Sequence, residues 1–446
     1  MPTNADTAAE QLWEGSPAAF LGDTARHSLG WVSHVAEFEQ RVTELDQRWH
    51  RDRPARHERT IVLGMGGSAS PASMFGAMRG STTLEVVDTS NPDTIAAVDF
   101  HNVNVIAASK SGGTIETVTT LAWALAHGLE TRDLSIITDP GTSLAELATS
   151  LDAALFYGDP NTGGRFGALS PMGILPALAA GWSVDELLET SFTGGVEKDE
   201  FVEWFVRAAQ SVDSDREINW FSLEHPPRTG TGELWLEQLV AESTGKDGRG
   251  VVPVLGAPAQ RAPQRASVAR DVYKFHVEIA AMAWAIGVDP FNQPDVEGAK
   301  RNVFGQLAQP HVWSDELHVP LADLDRADEA GYVALQVFAP LDHDAAVFSL
   351  RERLAGRFPK ITAALGPRFL HSTGQLHKGG PASMVAIQVQ VKPTTEPQRI
   401  SGRHFSFHDL HAAQAHADAV ALRSAGRTVI ELRVESLDQV ASLFGQ

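Results

Sequence analysis

Residues 60–69 read TIVLGMGGSA and residues 103–117 read VNVIAASKSGGTIET. Each is a short apolar, partly β-branched run that meets glycines and then passes into a stretch with helical spacing. A strand–turn–helix junction of this kind leaves backbone N–H groups at the helix start free to meet an anion. The alternation continues outward. LEVVD (84–88), LSIITD (134–139) and ALFYGD (154–159) read as further strands, with helices over 114–127 and 142–150 and an apolar stretch over 168–182 closing the block. The strands are continuous apolar runs, so both faces of the sheet need cover, and a parallel sheet between two helical layers is expected.

A second round follows. SFTGGVEKDE (191–200) is small, polar and charged, and it marks the expected seam between an N-terminal unit, 1–190, and a second unit, 191–446. EINWFSL (217–223) reads as a strand, LWLEQLVAES (234–243) as a helix, VVPVLGA (251–257) as a strand and 268–286 as a long helix. Beyond Pro310 come the strands YVALQVFAP (332–340), MVAIQVQV (384–391) and TVIELRVE (428–435), with helices over 344–358 and 409–425. These last residues either extend the second sheet or form a small α+β subdomain.

Composition sets the outer bounds. With 446 residues, 43% hydrophobic and 21% charged, the chain can bury a large core, and at roughly 150 residues per domain it holds two or three. The formal charge of −20 argues against general nucleic-acid or anionic-membrane binding, which need basic surface. A local crevice can still hold an anion, because exposed charges are screened beyond about 8 Å at physiological salt. Cysteine is absent, which excludes disulfides, thiolate metal sites and cysteine nucleophiles and suits the cytosol. MPTNADTAAEQLWEG (1–15) lacks a basic segment followed by an apolar one, and runs such as IAAMAWAIGV (279–288) are too short to span a bilayer. A soluble cytoplasmic protein without an export signal is expected.

Read alone, GMGGSA (64–69) fits a dinucleotide fingerprint, and Asp88 ends the next strand where a ribose-binding acid would stand. A tight turn without a ligand fits equally. The second loop shifts the balance: Ser109, Ser111 and Thr114 place hydroxyls beside free backbone donors, and two such loops at the carboxyl ends of neighbouring strands converge on one crevice. A terminal phosphate, with several oxygens to satisfy, suits them. N-capping accounts for one of the three hydroxyls and hardly for all.

GMGGS (64–68) followed by SKSGGTIET (109–117) resembles a sugar-isomerase (SIS) domain. NTGGRFGALSPMGILPALAAG (161–181), WLEQLVAESTGKDGRGVVPV (235–254) and GVDPFNQPDVEGAKRN (287–302) resemble the phosphoglucose isomerase family in particular. FLHSTGQLHKGGP (369–381) is similar to that family's catalytic-histidine stretch. The short chain and the GGRFGALSP wording resemble the actinobacterial type, some members of which are fused to transaldolase, although no transaldolase portion is recognisable here. The resemblance implies an α/β fold of two SIS-type three-layer αβα sandwiches with mainly parallel sheets. It also implies a homodimer with sites near the subunit interface, and interconversion of glucose 6-phosphate and fructose 6-phosphate through a cis-enediol, without a cofactor.

That chemistry needs a carboxylate base, a ring-opening acid/base and a fixed positive charge. The resemblance assigns proton transfer to Glu242, whose apolar helix would desolvate the carboxylate and raise its basicity. It assigns charge stabilisation to Arg165, ring opening to His371 and assistance at the ring oxygen to Lys300. Gly66, Gly67 and Ser68, with Ser109, Lys110, Ser111 and Thr114, would hold the sugar phosphate. A neutral-range pKa suits imidazole to ring opening, and His377 competes with His371 for the role. The order departs from the family pattern, since the LHS-type motif follows the PFNQP motif instead of preceding it. Only eight lysines occur, and Lys110, Lys246, Lys300 and Lys378 all fall inside these motifs. His404, His408, His411 and His416 cluster near the end, but a third ligand at metal spacing is not evident and no metal is expected. A mannose 6-phosphate isomerase, a non-catalytic sugar-phosphate sensor and an NAD-dependent dehydrogenase stand as alternatives.

Overall fold

The computed structural model describes residues 4–20, 28–52, 57–189, 196–227, 231–256, 262–264, 267–296, 303, 307 and 325–444. The five expected strands of the first block form one parallel sheet: β1 (Thr60–Leu63), β2 (Leu84–Val87), β3 (Asn104–Ala108), β4 (Leu134–Thr138) and β5 (Ala154–Tyr157). Their order is β2-β1-β3-β4-β5, with Thr60 opposite both Leu84 and Asn104. From β1 the chain steps outward to β2 and then crosses to the other side for β3. The order therefore reverses beside β1, and the crevice at the carboxyl ends of β1 and β3 is the place where such sheets bind ligands.

Both faces of this sheet are covered, as its apolar strands require. Helices His34–Asp52, Ser70–Arg79 and Pro171–Ala179 pack on one face. Helices Ile115–Ala126 and Ser143–Ser150 pack on the other, together with Phe407–Ser424 from near the end of the chain. The core on the first face runs on past the expected seam into helices Lys198–Gln210 and Val268–Ala285.

The second block begins with β6 (Ile218–Leu223), whose burial alternates, paired in parallel with the continuously apolar β7 (Gly250–Leu255). Four more parallel strands, β8 (Tyr332–Phe338), β9 (Ile361–Gly366), β10 (Met384–Val391) and β11 (Thr428–Val434), form a sheet in the order β11-β10-β8-β9, with β7 lying near β9. Helices Asp344–Leu354 and Leu437–Leu443 cover one face. The opposite face receives Ala241 of helix Glu233–Thr244, Leu376 of the short helix Gly374–Gly379 and Leu422 of Phe407–Ser424. Residues after Pro310 thus build their own parallel sheet. β9 was not anticipated: ITAALG has a single β-branched pair followed by two alanines and a leucine, a composition that favours helix unless tertiary contacts override it.

Candidate active site

Three backbone turns and one helix meet at the carboxyl end of the first sheet. The GMGG turn continues as a single 3-10 turn, Gly66–Ser68, and abuts the turns Gly164–Phe166 and Arg368–His371. Glycine is required at this junction. Gly66 adopts φ +52°, and a Cβ on it would lie 2.5 Å from the His371 carbonyl oxygen; a Cβ on Gly67 would lie 2.3 Å from the Gly164 carbonyl. The two glycine motifs therefore touch backbone to backbone, and the closeness of that approach brings Arg165 and His371 to the anion-binding loop.

Helix Glu233–Thr244 is buried on every side, so each of its polar groups needs a partner or must lose its charge. Glu242 meets both demands with its two oxygens. Oε1 lies 3.0 Å from Arg165 Nη1, and Oε2 accepts from Gln238 Nε2 at 2.9 Å. Gln238, one turn earlier on the same helix face, also donates to the His371 carbonyl at 3.0 Å and accepts from the Ser70 hydroxyl at 2.6 Å. Arg165 is held on its remaining nitrogens by Ser243 Oγ at 3.0 Å and by the carbonyls of Pro290 and Asn292 at 2.6 and 2.8 Å. Lys246 binds the carbonyls of Ser243 and Asp289, tying the helix end to the same PFNQ turn. Burial, reinforced by the nearby Arg165 charge, pushes the Lys246 ammonium well below its ordinary pKa.

His371 Nε2 lies 2.8 Å from Glu116 Oε1, and Gln414 Nε2 donates to the same oxygen. The carboxylate holds the imidazole proton on Nε2 and leaves the lone pair on Nδ1. His377 sits elsewhere: it is buried, Gln336 Nε2 lies 3.0 Å from its Nδ1, and desolvation pushes its pKa down to about 3, with Lys378 and Arg427 adding to the effect.

The cleft so formed has a volume of about 420 Å³. Gly66, Gly67, Ser68, Lys110, Ser111, Thr114, Arg165, Glu242 and His371 all line it. Ser109 does not; it is buried behind the loop, with its hydroxyl 2.9 Å from that of Thr114. Thr114 begins helix Ile115–Ala126 without capping it through its side chain, so its hydroxyl is not consumed by the helix. Lys110 Nζ pairs with Asp139 and donates to the Asp159 carbonyl at 2.9 Å. Lys300 lies outside the described residues. Asp88, which a dinucleotide would need for its ribose, is gripped by Arg368 Nε and Nη2 at 2.7 and 3.1 Å, which removes it from any ligand.

Three polar residues of the site escaped sequence reading. Gln238 stands four residues before Glu242, a spacing that shares a helix face. Glu116 lies inside SKSGGTIET itself, and an acid in the first turn of an otherwise apolar helix was a usable signal. Gln414 carried none, since it comes from a helix far along the chain.

The fold is one found among sugar-phosphate isomerases: a glucose-6-phosphate isomerase from Chlamydia trachomatis superposes with a TM-score of 0.52 at 15% identity, over 69% of this chain and 84% of that one. In sequence the chain is similar to glucose-6-phosphate isomerases. It is 30% identical over 226 residues to that of Rubrobacter xylanophilus (43% of this chain, 51% of the relative), and 33% identical over 173 residues to that of Thermus thermophilus (36% and 41%). The chain spans about half the length of the curated relatives it matches. No family model matches. Among the described residues no helix is long and apolar enough to cross a membrane.

Proposed function

We propose that the chain is a glucose-6-phosphate isomerase that interconverts glucose 6-phosphate and fructose 6-phosphate by proton transfer through a cis-enediol. The observation that carries this reading is the convergence, in one cleft, of a hydroxyl-rich anion loop, the Arg165–Glu242 pair and His371, which Glu116 backs from behind. A sensor would need the first of these and neither of the others.

The backbone donors of Gly66 and Gly67 and the hydroxyls of Ser68, Ser111 and Thr114, with Lys110, hold the phosphate, and Ser109 orients Thr114. His371 moves the proton between the ring oxygen and the anomeric hydroxyl as the ring opens. Glu242 takes the C2 proton of the open aldose and returns it to C1, while the O2 hydroxyl proton passes to the adjacent O1 of the cis-enediolate, leaving the ketone at C2. Negative charge then grows on the enediolate oxygens, and Arg165, locked by three neutral oxygens, supplies a fixed positive field that needs no reorganisation. Lys300 keeps the ring-oxygen role that the resemblance gives it. We assign residues 1–190 and 191–446 to the two SIS-type halves, and the protein to the cytoplasm as a homodimer of the actinobacterial type. No residue of the proposed chemistry asks for a cofactor.

The test is a coupled assay on fructose 6-phosphate with parallel measurement of solvent hydrogen exchange at C2. Wild type turns over and exchanges; Glu242→Gln loses about 10³-fold or more in kcat. Full turnover by Glu242→Gln, or exchange at C2 that survives undiminished in Glu242→Gln, would falsify the assignment.

A further inference from the structure

Helix Phe407–Ser424 is an element that the proposed reaction leaves without a task. Its start is fixed by a reciprocal cap: the Ser406 hydroxyl accepts from Asp409 N at 3.2 Å, and the Asp409 carboxylate accepts from Ser406 N at 2.7 Å. Phe407, Leu410, Ala413 and Ala417 then seat the helix on the first sheet. At that depth His411 and Gln414, three residues apart on one face, reach the loop after β2 and the active-site carboxylate.

The hydrogen bonds there have a definite direction. Gln414 donates through Nε2 to Glu116 Oε1 and accepts at its own Oε1 from the Ser90 hydroxyl. Ser90 has then used its proton, so the His411 Nδ1–H, 3.3 Å away, donates to it. His411 Nε2 is left as an acceptor for Asn91 Nδ2 at 3.4 Å. Ser90, Asn91, His411, Gln414 and Glu116 are all buried. An amide at 414 can accept from a hydroxyl through its oxygen and donate to a carboxylate through its nitrogen at once.

We infer that Gln414 is a positioning residue for ring opening, the last member of a directed chain from Asn91 through His411 and Ser90 that clamps Glu116 and so fixes His371. This rests on the assignment of ring opening to His371. Because Gln414 shares the Glu116 oxygen that meets His371, it draws off part of the carboxylate charge. Without that donor the carboxylate acts more strongly on the imidazolium, and His371 titrates at higher pH. Among the described residues the other charged groups around the pair are Lys378 and Asp418, which line the chamber behind His371; Lys110, Asp139, Arg165 and Glu242, which line the cleft in front of it; and Arg368 in the turn that carries His371. None of them is altered by a change at 414.

The experiment compares wild type, Gln414→Met, which keeps the volume and removes the amide, and Ser90→Ala. His371 is followed by imidazole ¹⁵N NMR, assigned with His371→Gln, alongside kcat and KM for fructose 6-phosphate across pH. Gln414→Met is expected to raise the His371 titration and the acid limb of kcat together by about half to one pH unit, and to lower kcat about tenfold with KM within twofold. Ser90→Ala is expected to shift the titration less, and the double variant no further than Gln414→Met alone. An unmoved His371 titration in folded Gln414→Met overturns the inference, as does a moved titration with unchanged kcat. If Gln414→Met does not fold, Ser90→Ala decides by the same titration. A wild type that never turns over fructose 6-phosphate defeats the proposed function instead, and the NMR titration still decides whether Gln414 clamps the His371–Glu116 pair.

Discussion

Arg165 and Arg368 are both buried, at 5% and 4% exposure, and both stand beside the cleft, yet their surroundings differ in kind. Arg165 meets one carboxylate, Glu242, and is otherwise held by a hydroxyl and two carbonyls, all neutral. Arg368 is held bidentately by Asp88, lies 3.4 Å from both oxygens of Asp344, and feels a third carboxyl, Glu237, at close range. One guanidinium faces an open cleft with field to spare for a developing anion. The other is enclosed by acids and ties β2, helix Asp344–Leu354 and the turn carrying His371 into one unit. Residue type and burial are shared, so it is the charge of the partners and the openness of one side that separate an electrophile from a structural cation.

Replacing each arginine by methionine tests this difference directly. Arg368→Met leaves Asp88 and Asp344 buried without their cation and is expected to lose about 3–5 kcal/mol of stability, read by chemical denaturation. Arg165→Met is expected to lower kcat/KM about 10²–10³-fold, or roughly 3–4 kcal/mol of transition-state stabilisation. Its loss of stability should be less than half that of Arg368→Met, because it strands one carboxylate, Glu242, which Gln238 still holds, and not two. The reverse pattern, with Arg165→Met the more unstable and Arg368→Met the less active, would show that partner charge does not separate their roles.

The same enclosure acts on Glu237. Full burial pushes its pKa up to about 8 against the opposing pull of Arg368, with Asp344 adding to the rise, and its Oε2 has no hydrogen-bond partner. In the unfolded chain the group titrates near 4.5. The folded state therefore binds the extra proton between these values, and the stability it contributes is complete below about 4.5 and lost as pH rises to about 8. The slope approaches about 1.4 kcal/mol per pH unit within that window, and Glu237→Gln should abolish it in denaturation curves taken from pH 6 to 9. On the acid side the sign reverses: His377 and His411, both pushed down to about 3 chiefly by burial, stay neutral when folded and charge near 6.5 when unfolded, so stability falls as pH drops below about 6.5. A wild type with flat stability from pH 6 to 9 would remove the closed acidic cage from the comparison.

How much of this was legible divides along the same line. The first sheet could be read from sequence because its strands are short, mainly apolar runs, four of them ending at a glycine or aspartate, and local pattern fixes both its type and its parallel class. The anion loop was legible in its glycines and Arg165 only through the family resemblance; the close approach of Gly67 to Gly164 supplies the backbone reason that brings them together. Polar partners drawn from distant segments left no such trace. Glu116 and Gln414 are 298 residues apart, and Asp88 and Arg368 are 280 apart, so neither pair has any local periodicity to betray it. Asp88 shows the hazard: its position after β2 suited a ribose ligand, and only the tertiary fold reveals the arginine that occupies it. The histidine cluster near the end, from which no metal was expected, also finds partners outside its own helix: His411 is bound to Ser90 and Asn91, and His408 Nε2 meets the Thr395 carbonyl at 2.8 Å.

Lys110 lies between the two arginines in kind. It lines the cleft, is about a quarter exposed, and pairs with a single carboxylate, Asp139, that lines the same cleft. A phosphate arriving there must share the ammonium with Asp139 or displace it, and in either case meets a like charge. Asp139→Asn removes that charge while keeping a side chain of the same size beside Lys110. Both partners are partly solvated, so the gain is screened to below about 1 kcal/mol, and KM for fructose 6-phosphate should fall by about two- to fivefold. kcat should stay constant, because the phosphate is bound equally in the ground and transition states. The fall in KM should also shrink as salt is raised from about 0.05 to 0.5 M, since screening weakens the repulsion that the substitution relieves. A KM that rises instead would mean that Asp139 aims Lys110 at the phosphate, which would make this lysine a positioned ligand of the Arg165 kind and not a cation shared between an acid and the substrate.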